Sequence, residues 1–194
     1  MFATPVLAQT RIEVGPLLAV YAPASAFQQA PYYSTALPNS PSDLTGVAWG
    51  GQGRIWLRRH FGVELQIAWA SSTVGGGNTP AGHAPATPAR VLATSAQALF
   101  GFSPPSLNAE LWFSAGAGLV RHGGKAYDPY GSPVQFATAL GFGSSIPLRS
   151  HVSVSLGVTA LLYNIDVSDS TGTSLEHGFQ VDPLIHIGLS LRSP

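Results

Sequence analysis

Hydrophobic residues alternate with small or polar residues through several segments of about ten residues each. Val63, Leu65 and Ile67, for example, alternate with Glu64 and Gln66. Successive side chains of a strand point to opposite faces, whereas a helix would scatter the two sets around its circumference. The alternation predicts eight strands, which lie within residues 11–22, 47–57, 63–69, 90–102, 110–119, 134–143, 152–159 and 185–192.

The connections between these segments alternate in length. Those at residues 58–62, 103–107 and 147–151 are short, and those at 23–46, 72–89, 122–133 and 166–179 are long. Outer-membrane barrels have short periplasmic turns and longer extracellular loops. The fold class that this predicts is all-β: a transmembrane antiparallel up-and-down β-barrel of about eight strands. Pro16 in the first strand cannot donate a ladder hydrogen bond, so a bulge or a locally open seam is expected there.

The two faces of the predicted strands differ in side-chain size. One is bulky, with Trp, Phe, Leu, Ile and Val, and the other is rich in Ala, Ser and Gly. A soluble barrel turns its apolar face inward, whereas a membrane barrel turns it toward lipid. Small side chains suit a crowded lumen, and glycine on a water-exposed face would weaken a strand without solvating it. We therefore expect the bulky face to meet lipid; a soluble lipocalin-like barrel is the alternative fold.

Composition supports a membrane location and excludes several function classes. Charged residues make up 9% of the chain and hydrophobic residues 45%, whereas soluble domains carry about 25% charged residues. The net charge is zero and Lys125 is the one lysine, so no nucleic-acid partner is expected. The chain has no cysteine, which excludes thiolate catalysis, disulfides and cysteine metal sites. No apolar run is long enough for a transmembrane helix.

A set of polar residues falls on the predicted inner face, mostly toward the short-turn end. An unpaired buried charge costs several kcal/mol, so these groups are expected to pair as a structural plug of the lumen rather than as a conductive gate. Toward the long-loop end the inner residues are small, as at Ala48 and Ala68, and predict a roomier mouth. The predicted lumen cluster consists of Glu13, Gln52, Arg54, Glu64, Gln66, Gln97, Glu110, His186 and Arg192.

One hairpin resembles the small outer-membrane barrel proteins of Gram-negative bacteria. A glycine-rich strand at residues 51–57 (GQGRIWL) is followed by a short turn and the strand FGVEL at 61–65. The resemblance implies the barrel fold from residue 11 to 192 and a place in the bacterial outer membrane. It also implies outer-membrane lipid and the barrel-insertion machinery as partners. That machinery often reads a terminal aromatic residue, whose place Leu191 takes here.

The first residues have features of an export signal. Val6, Leu7 and Ala8 are similar to the small-residue end of a signal peptide, with cleavage after Ala8. We interpret residues 1–8 as a signal-peptide remnant and residues 9–194 as a single barrel domain. A frayed N-terminal tail is the alternative interpretation.

Catalytic and metal-binding sets are weak in this sequence. His151 and Ser153 share one side of a strand, but no acid lies beside them to complete a nucleophilic triad. Tyrosines such as Tyr21 and Tyr163 lie at strand tops, where they mark the membrane interface or contact a partner. Acids and histidines in two long connections match no cation-binding motif, so no metal site and no cofactor are predicted. These residues are His122 with Asp128, and Asp166, Asp169, Glu176 and His177.

The sequence therefore predicts a non-enzymatic integral outer-membrane barrel with a structural role or a role in contacts made by its loops. A narrow channel or carrier for a small solute is one alternative, and a lipid-modifying barrel enzyme is another. The partner of the extracellular loops is left unidentified.

Overall fold

The computed structural model describes residues 10–23, 45–74, 78–79, 82–83, 87–125, 134–168 and 174–193. No helix among them is long and apolar enough to cross a membrane. They form ten strands: β1 (Arg11–Tyr21), β2 (Gly46–Arg58), β3 (Phe61–Val74), β4 (Asn78–Thr79), β5 (Gly82–His83), β6 (Thr87–Phe102), β7 (Glu110–Gly123), β8 (Val134–Arg149), β9 (Val152–Ser168) and β10 (Ser174–Arg192).

Eight of these strands close into an antiparallel barrel. Each pairs with its neighbours along the chain in the order β1, β2, β3, β6, β7, β8, β9 and β10, and β10 pairs back with β1. Strands β4 and β5 form a separate two-stranded sheet within the connection from β3 to β6. The predicted up-and-down barrel of eight strands is confirmed.

Several strands are longer than the alternation predicted. The expected long loop at residues 166–179 is wrong, because β9 continues to Ser168 and β10 begins at Ser174. In the same way β3 continues to Val74 and β6 begins at Thr87. Ladder hydrogen bonds form between backbone groups whatever the side chains are, so strands can continue where the apolar pattern fades.

The bulky face of the strands points outward and the small or polar face points into the lumen. Leu65 is 61% exposed, whereas its neighbour Gln66 is 5% exposed. Large apolar residues are exposed on every strand of the barrel, as Val14, Trp49 and Phe136 illustrate. This outer wall suits lipid and rules out the soluble alternative, in which the polar face would meet water.

Aromatic residues mark the two edges of the apolar wall. Trp49 and Trp69 pair across β2 and β3, with ring centroids 5.3 Å apart. Eight residues separate Trp69 from Phe61, or about 26 Å along the strand. A strand tilt of about 40° reduces this to about 20 Å, close to the apolar band of membrane barrels. The lower edge is a row of four exposed phenylalanines in register across adjacent strands: Phe61, Phe100, Phe113 and Phe142.

The seam between β1 and β10 is interrupted where Pro16 predicts it. Residue pairs occur on both sides in the same register, Val14 with Leu191 and Leu17 with Gly188, but none at Gly15 and Pro16. The unchanged register means that the ladder is broken locally without a bulge. The two backbones also come close here, because a Cβ on Gly15 would lie 1.6 Å from the carbonyl oxygen of Leu189.

Candidate functional site

A row of alternating charges that ends in a glutamine lines the lumen near the short-turn end of the barrel. Its members lie on five consecutive strands, from β10 through β1, β2 and β3 to β6. Strand register places opposite charges on neighbouring strands, so each acid has a base at its side. In order around the wall they are Arg192, Glu13, Arg54, Glu64 and Gln97.

The carboxylates of this row are buried, whereas their arginine partners range from buried Arg54 to partly exposed Arg192 and Arg11. Arg54 and Glu64 form a salt bridge between side chains that are 1% and 0% exposed. One carboxylate oxygen of Glu13, Oε1, lies 2.9 Å from Nη2 of Arg192 and 3.0 Å from Nε of Arg11. Charge-assisted contacts of this kind are the strong ones, and here they tie together strands that are far apart in the sequence.

Arg11 and two tryptophans belong to this lower layer, although the predicted cluster omits them. Nη2 of Arg11 lies 2.5 Å from Oε2 of Glu110, and its guanidinium lies 4.8 Å from the ring centroid of Trp56. The guanidinium of Arg54 lies 4.5 Å from the ring centroid of Trp112. Arg11 is two residues before Glu13 in the same strand, so its side chain points to the same inner face. This alternation could have placed Arg11 in the cluster.

Glycines give the indole of Trp112 its space in the lumen. A Cβ on Gly143 would lie 2.4 Å from this ring, and one on Gly157 would lie 2.8 Å from it. His186 lies on the other side of the lower layer, with its ring 6.3 Å from the indole and nearly parallel to it. The small residues of the inner face therefore make room for a few very large side chains.

The predicted glutamines lie on the inner face, in the lower layer or just above it. Nε2 of Gln52 donates to Oγ of Ser155 at 2.8 Å. The hydroxyl of Ser114 donates to Oε1 of Gln97 at 2.8 Å. Gln66 is buried one row above Glu64, level with Gln52. Together with the ion pairs these groups fill the lower lumen with polar side chains.

A second polar layer crosses the lumen near the long-loop end. The carboxylate of Asp182 is fully buried and accepts hydrogen bonds at Oδ2 from Tyr21 at 2.5 Å and from Tyr163 at 2.6 Å. Its other oxygen accepts a bond from Nε2 of Gln180 at 2.9 Å. The hydroxyl of Tyr163 also lies 3.3 Å from Nε2 of His122. This upper layer joins β1, β7, β9 and β10.

The upper layer corrects two predictions. His122, which was predicted in a long connection, lies in β7 with its side chain buried in the lumen. The expected roomy mouth carries larger inner side chains than alanine, because Leu17, Leu161 and Leu184 are almost completely buried there. They belong to β1, β9 and β10 and cluster with the alanines that suggested an open mouth.

The remaining candidates are dispersed in the described part of the chain. His151 is exposed in the turn before β9, whereas Ser153 is buried in the lumen. Among the described residues no group of three or more histidines, acids or cysteines is placed to hold a metal ion. Asp166, Glu176 and His177 lie in β9 and β10. Asp128, Asp169 and residues 1–8 lie outside the described residues.

Solved structures of small outer-membrane barrels are similar to the chain over nearly its whole length. Outer membrane protein OprG from Pseudomonas aeruginosa has a TM-score of 0.61 at 11% identity, with 96% of each chain covered. The N-terminal β-barrel domain of P. aeruginosa OprF has a TM-score of 0.54 at 13% identity, covering 96% of this chain and 99% of its own. Escherichia coli outer membrane protein W has a TM-score of 0.51 at 15% identity, covering 98% and 100%. No family model and no curated protein sequence matches the chain.

This chain has the fold of a small outer-membrane β-barrel. The likeness, at these identities, concerns the fold, and the exposed apolar wall adds the physical reason for a lipid environment. Closed barrels satisfy every ladder hydrogen bond without an open edge, which is what a bilayer demands. The fold and the exposed apolar wall together indicate a membrane-spanning barrel with lipid around its wall.

Proposed function

We propose that this protein is a non-conducting, non-enzymatic outer-membrane barrel that holds an extracellular hairpin for contact with a partner. The observation that carries the proposal is a set of buried, mutually bonded polar side chains at two levels of the lumen, together with buried leucines on the same inner face. A solute moving along the axis would have to break ion pairs and hydrogen bonds in both layers. Small barrels commonly fill their interior with side chains in this way.

The hairpin of β9 and β10 is formed by the two longest strands of the described residues. These strands have 17 and 19 residues and remain paired up to Ser168 and Ser174. A strand of 17 residues spans about 56 Å, or about 43 Å along the axis at a tilt of about 40°. Because the apolar band is about 25 Å tall, the hairpin projects into the extracellular space.

The upper polar layer supports this role because it fixes the base of the hairpin. Asp182 and Tyr163 belong to the hairpin strands, and their hydrogen-bond partners Tyr21 and His122 belong to β1 and β7. These side-chain contacts thus brace the hairpin against two other parts of the wall. A rigid base lowers the entropy that a partner must overcome on binding.

Two further elements of the proposal concern chemistry and assembly. The exposed His151 lies in the turn before β9 and Ser153 is buried in the lumen, an arrangement that favours a non-enzymatic role. We also propose that the barrel-insertion machinery assembles the chain, with Leu191 at the exposed end of β10 as the recognised apolar residue.

Conductance tests the sealed lumen. The full chain is refolded in detergent, its folding is checked by the mobility shift of unheated protein in gels, and it is added to planar bilayers. We expect no reproducible openings, whereas a general porin under the same conditions conducts. Discrete, protein-dependent openings would contradict the proposal and support the channel alternative.

A further inference from the structure

The lipid-facing wall carries a groove across strands β2, β3, β6 and β7, with residues of β1 and β8 at its two ends. It is shallow and open to the outside, has a volume of about 640 Å³ and is lined almost entirely by apolar groups. Ala96 and Ala117 pair with each other and form its floor, while Leu65 and Phe136 stand higher on either side. A concave apolar surface on a wall that faces lipid has the shape and polarity of an acyl-chain site.

Two arginines stand directly above this groove. Arg121 lies two residues above Leu119, which lines the groove, and it points outward from β7. Arg90 points outward from the adjacent strand β6 and pairs with Gly123. The two arginines are therefore diagonal neighbours, with Cα atoms about 7 Å apart. Side chains of this length can converge on one anion.

The charge on this pair is not neutralised within the described part of the protein. The acidic side chains described there, those of Glu13, Glu64, Glu110 and Asp182, are all buried or nearly so in the lumen. The salt bridges among described residues involve other arginines of the lumen and not this outward pair. Guanidinium groups bind phosphate with paired hydrogen bonds, so an outward pair of arginines fits a phosphate group.

The height of the arginines indicates which leaflet supplies the phosphate. Arg121 lies in the same register row as the stacked Trp49 and Trp69, which mark the membrane interface. Both arginines are next to the long connections, the extracellular end of such barrels. The strand spans about 26 Å from Arg121 to Phe113, and one leaflet is roughly 15 Å deep. The wall below the arginines is therefore long enough for an acyl chain of the outer leaflet.

We propose that Arg90, Arg121 and the groove below them form a binding site for a phosphorylated glycolipid of the outer leaflet. The phosphate of the lipid A type of headgroup lies on the two guanidinium groups, and one acyl chain lies in the groove between Leu65 and Phe136. This inference depends on the barrel's place in the membrane and is independent of whether the lumen conducts.

Native mass spectrometry of the full chain in detergent tests the headgroup contact, with diphosphoryl lipid A as the probe. The double variant Arg90→Gln, Arg121→Gln should weaken lipid A binding about tenfold or more, because two charge-assisted contacts are lost. The matched control Arg58→Gln, Arg59→Gln removes the same charge from an exposed turn at the other end of the barrel and should bind as the unaltered protein does. Gel mobility of unheated samples shows that each variant is folded.

A second pair of variants tests the groove. Ala96→Leu fills its floor and should weaken binding, whereas Ala160→Leu adds the same volume to the outward face of β9 and should not. The proposal would be overturned if the Arg90, Arg121 variant and its Arg58, Arg59 control weakened lipid A binding equally. It would also be overturned if neither the Arg90, Arg121 variant nor Ala96→Leu changed lipid A binding. Phosphatidylglycerol should bind more weakly than lipid A; equal binding would contradict the assignment to the outer-leaflet glycolipid.

Discussion

Replacing Glu64 by Gln is the sharpest test of the lower polar layer. The substitution keeps the shape of the side chain and removes the charge that faces Arg54. Both side chains are buried, so the guanidinium would stay in the lumen without its anion. Removing one partner of a buried ion pair typically costs about 3–5 kcal/mol, because the remaining charge is not solvated.

The expected cost can be compared with a matched substitution at the edge of the same layer. Glu110→Gln makes the same chemical change, but Glu110 pairs with Arg11, whose side chain is 28% exposed. Water screens that pair, so we expect a loss of about 1 kcal/mol or less. Restoring neutrality in the core, with Arg54→Met added to Glu64→Gln, should recover much of the lost stability.

The measurement is urea unfolding of the full chain in lipid vesicles, followed by tryptophan fluorescence and by gel mobility of unheated samples. The order of stability should be unaltered protein, then Glu110→Gln, then Glu64→Gln, with the double variant above Glu64→Gln. A Glu64→Gln protein within about 1 kcal/mol of the unaltered protein would refute the reasoning, because it would show a lumen wet enough to solvate Arg54.

Three further predictions address other parts of the barrel. Asp182→Asn should lower the free energy of unfolding by about 2 kcal/mol in the same assay, since three hydrogen bonds lose their charged acceptor. It should also make the β9–β10 hairpin more sensitive to protease, and unchanged cleavage would contradict a bracing role. Gly15→Ala should impair folding because its Cβ would meet the backbone of Leu189, whereas Gly53→Ala should be tolerated because its Cβ meets nothing within 4 Å. Equal gel mobility shifts of the two variants would contradict the close approach of β1 and β10. Leu65→Arg on the lipid face should cost about 2–4 kcal/mol in vesicles, and a neutral effect there would argue against a lipid-facing wall.

Period-2 alternation predicted the orientation of the wall because side-chain direction in a strand depends only on parity. The contrast between Leu65 and Gln66 follows from this rule without any knowledge of which strands pair. The rule likewise placed Glu13 and Arg54 on the inner face. Pro16 was informative for a different reason, since a missing backbone donor affects the ladder locally.

Parity does not predict which inner residues meet. Tyr21 and Asp182 are 161 positions apart, and they meet only because β1 and β10 close the barrel in one particular register. His122 was assigned to a loop because glycines and polar residues follow it, although the ladder continues through it. The inner alanines suggested free space, which Leu161 and its neighbours on other strands occupy.

Cysteine labelling in sealed vesicles tests the central claim, a lipid-facing wall around a sealed lumen, most directly. Leu65→Cys and Gln66→Cys place thiols on adjacent residues of a cysteine-free chain, and each is treated with a membrane-soluble and a water-soluble maleimide. We predict that Leu65→Cys reacts with the membrane-soluble reagent alone and that Gln66→Cys reacts with neither. Reaction of Gln66→Cys with the water-soluble reagent would contradict the sealed lumen, and its reaction with the membrane-soluble reagent would contradict the orientation of the wall.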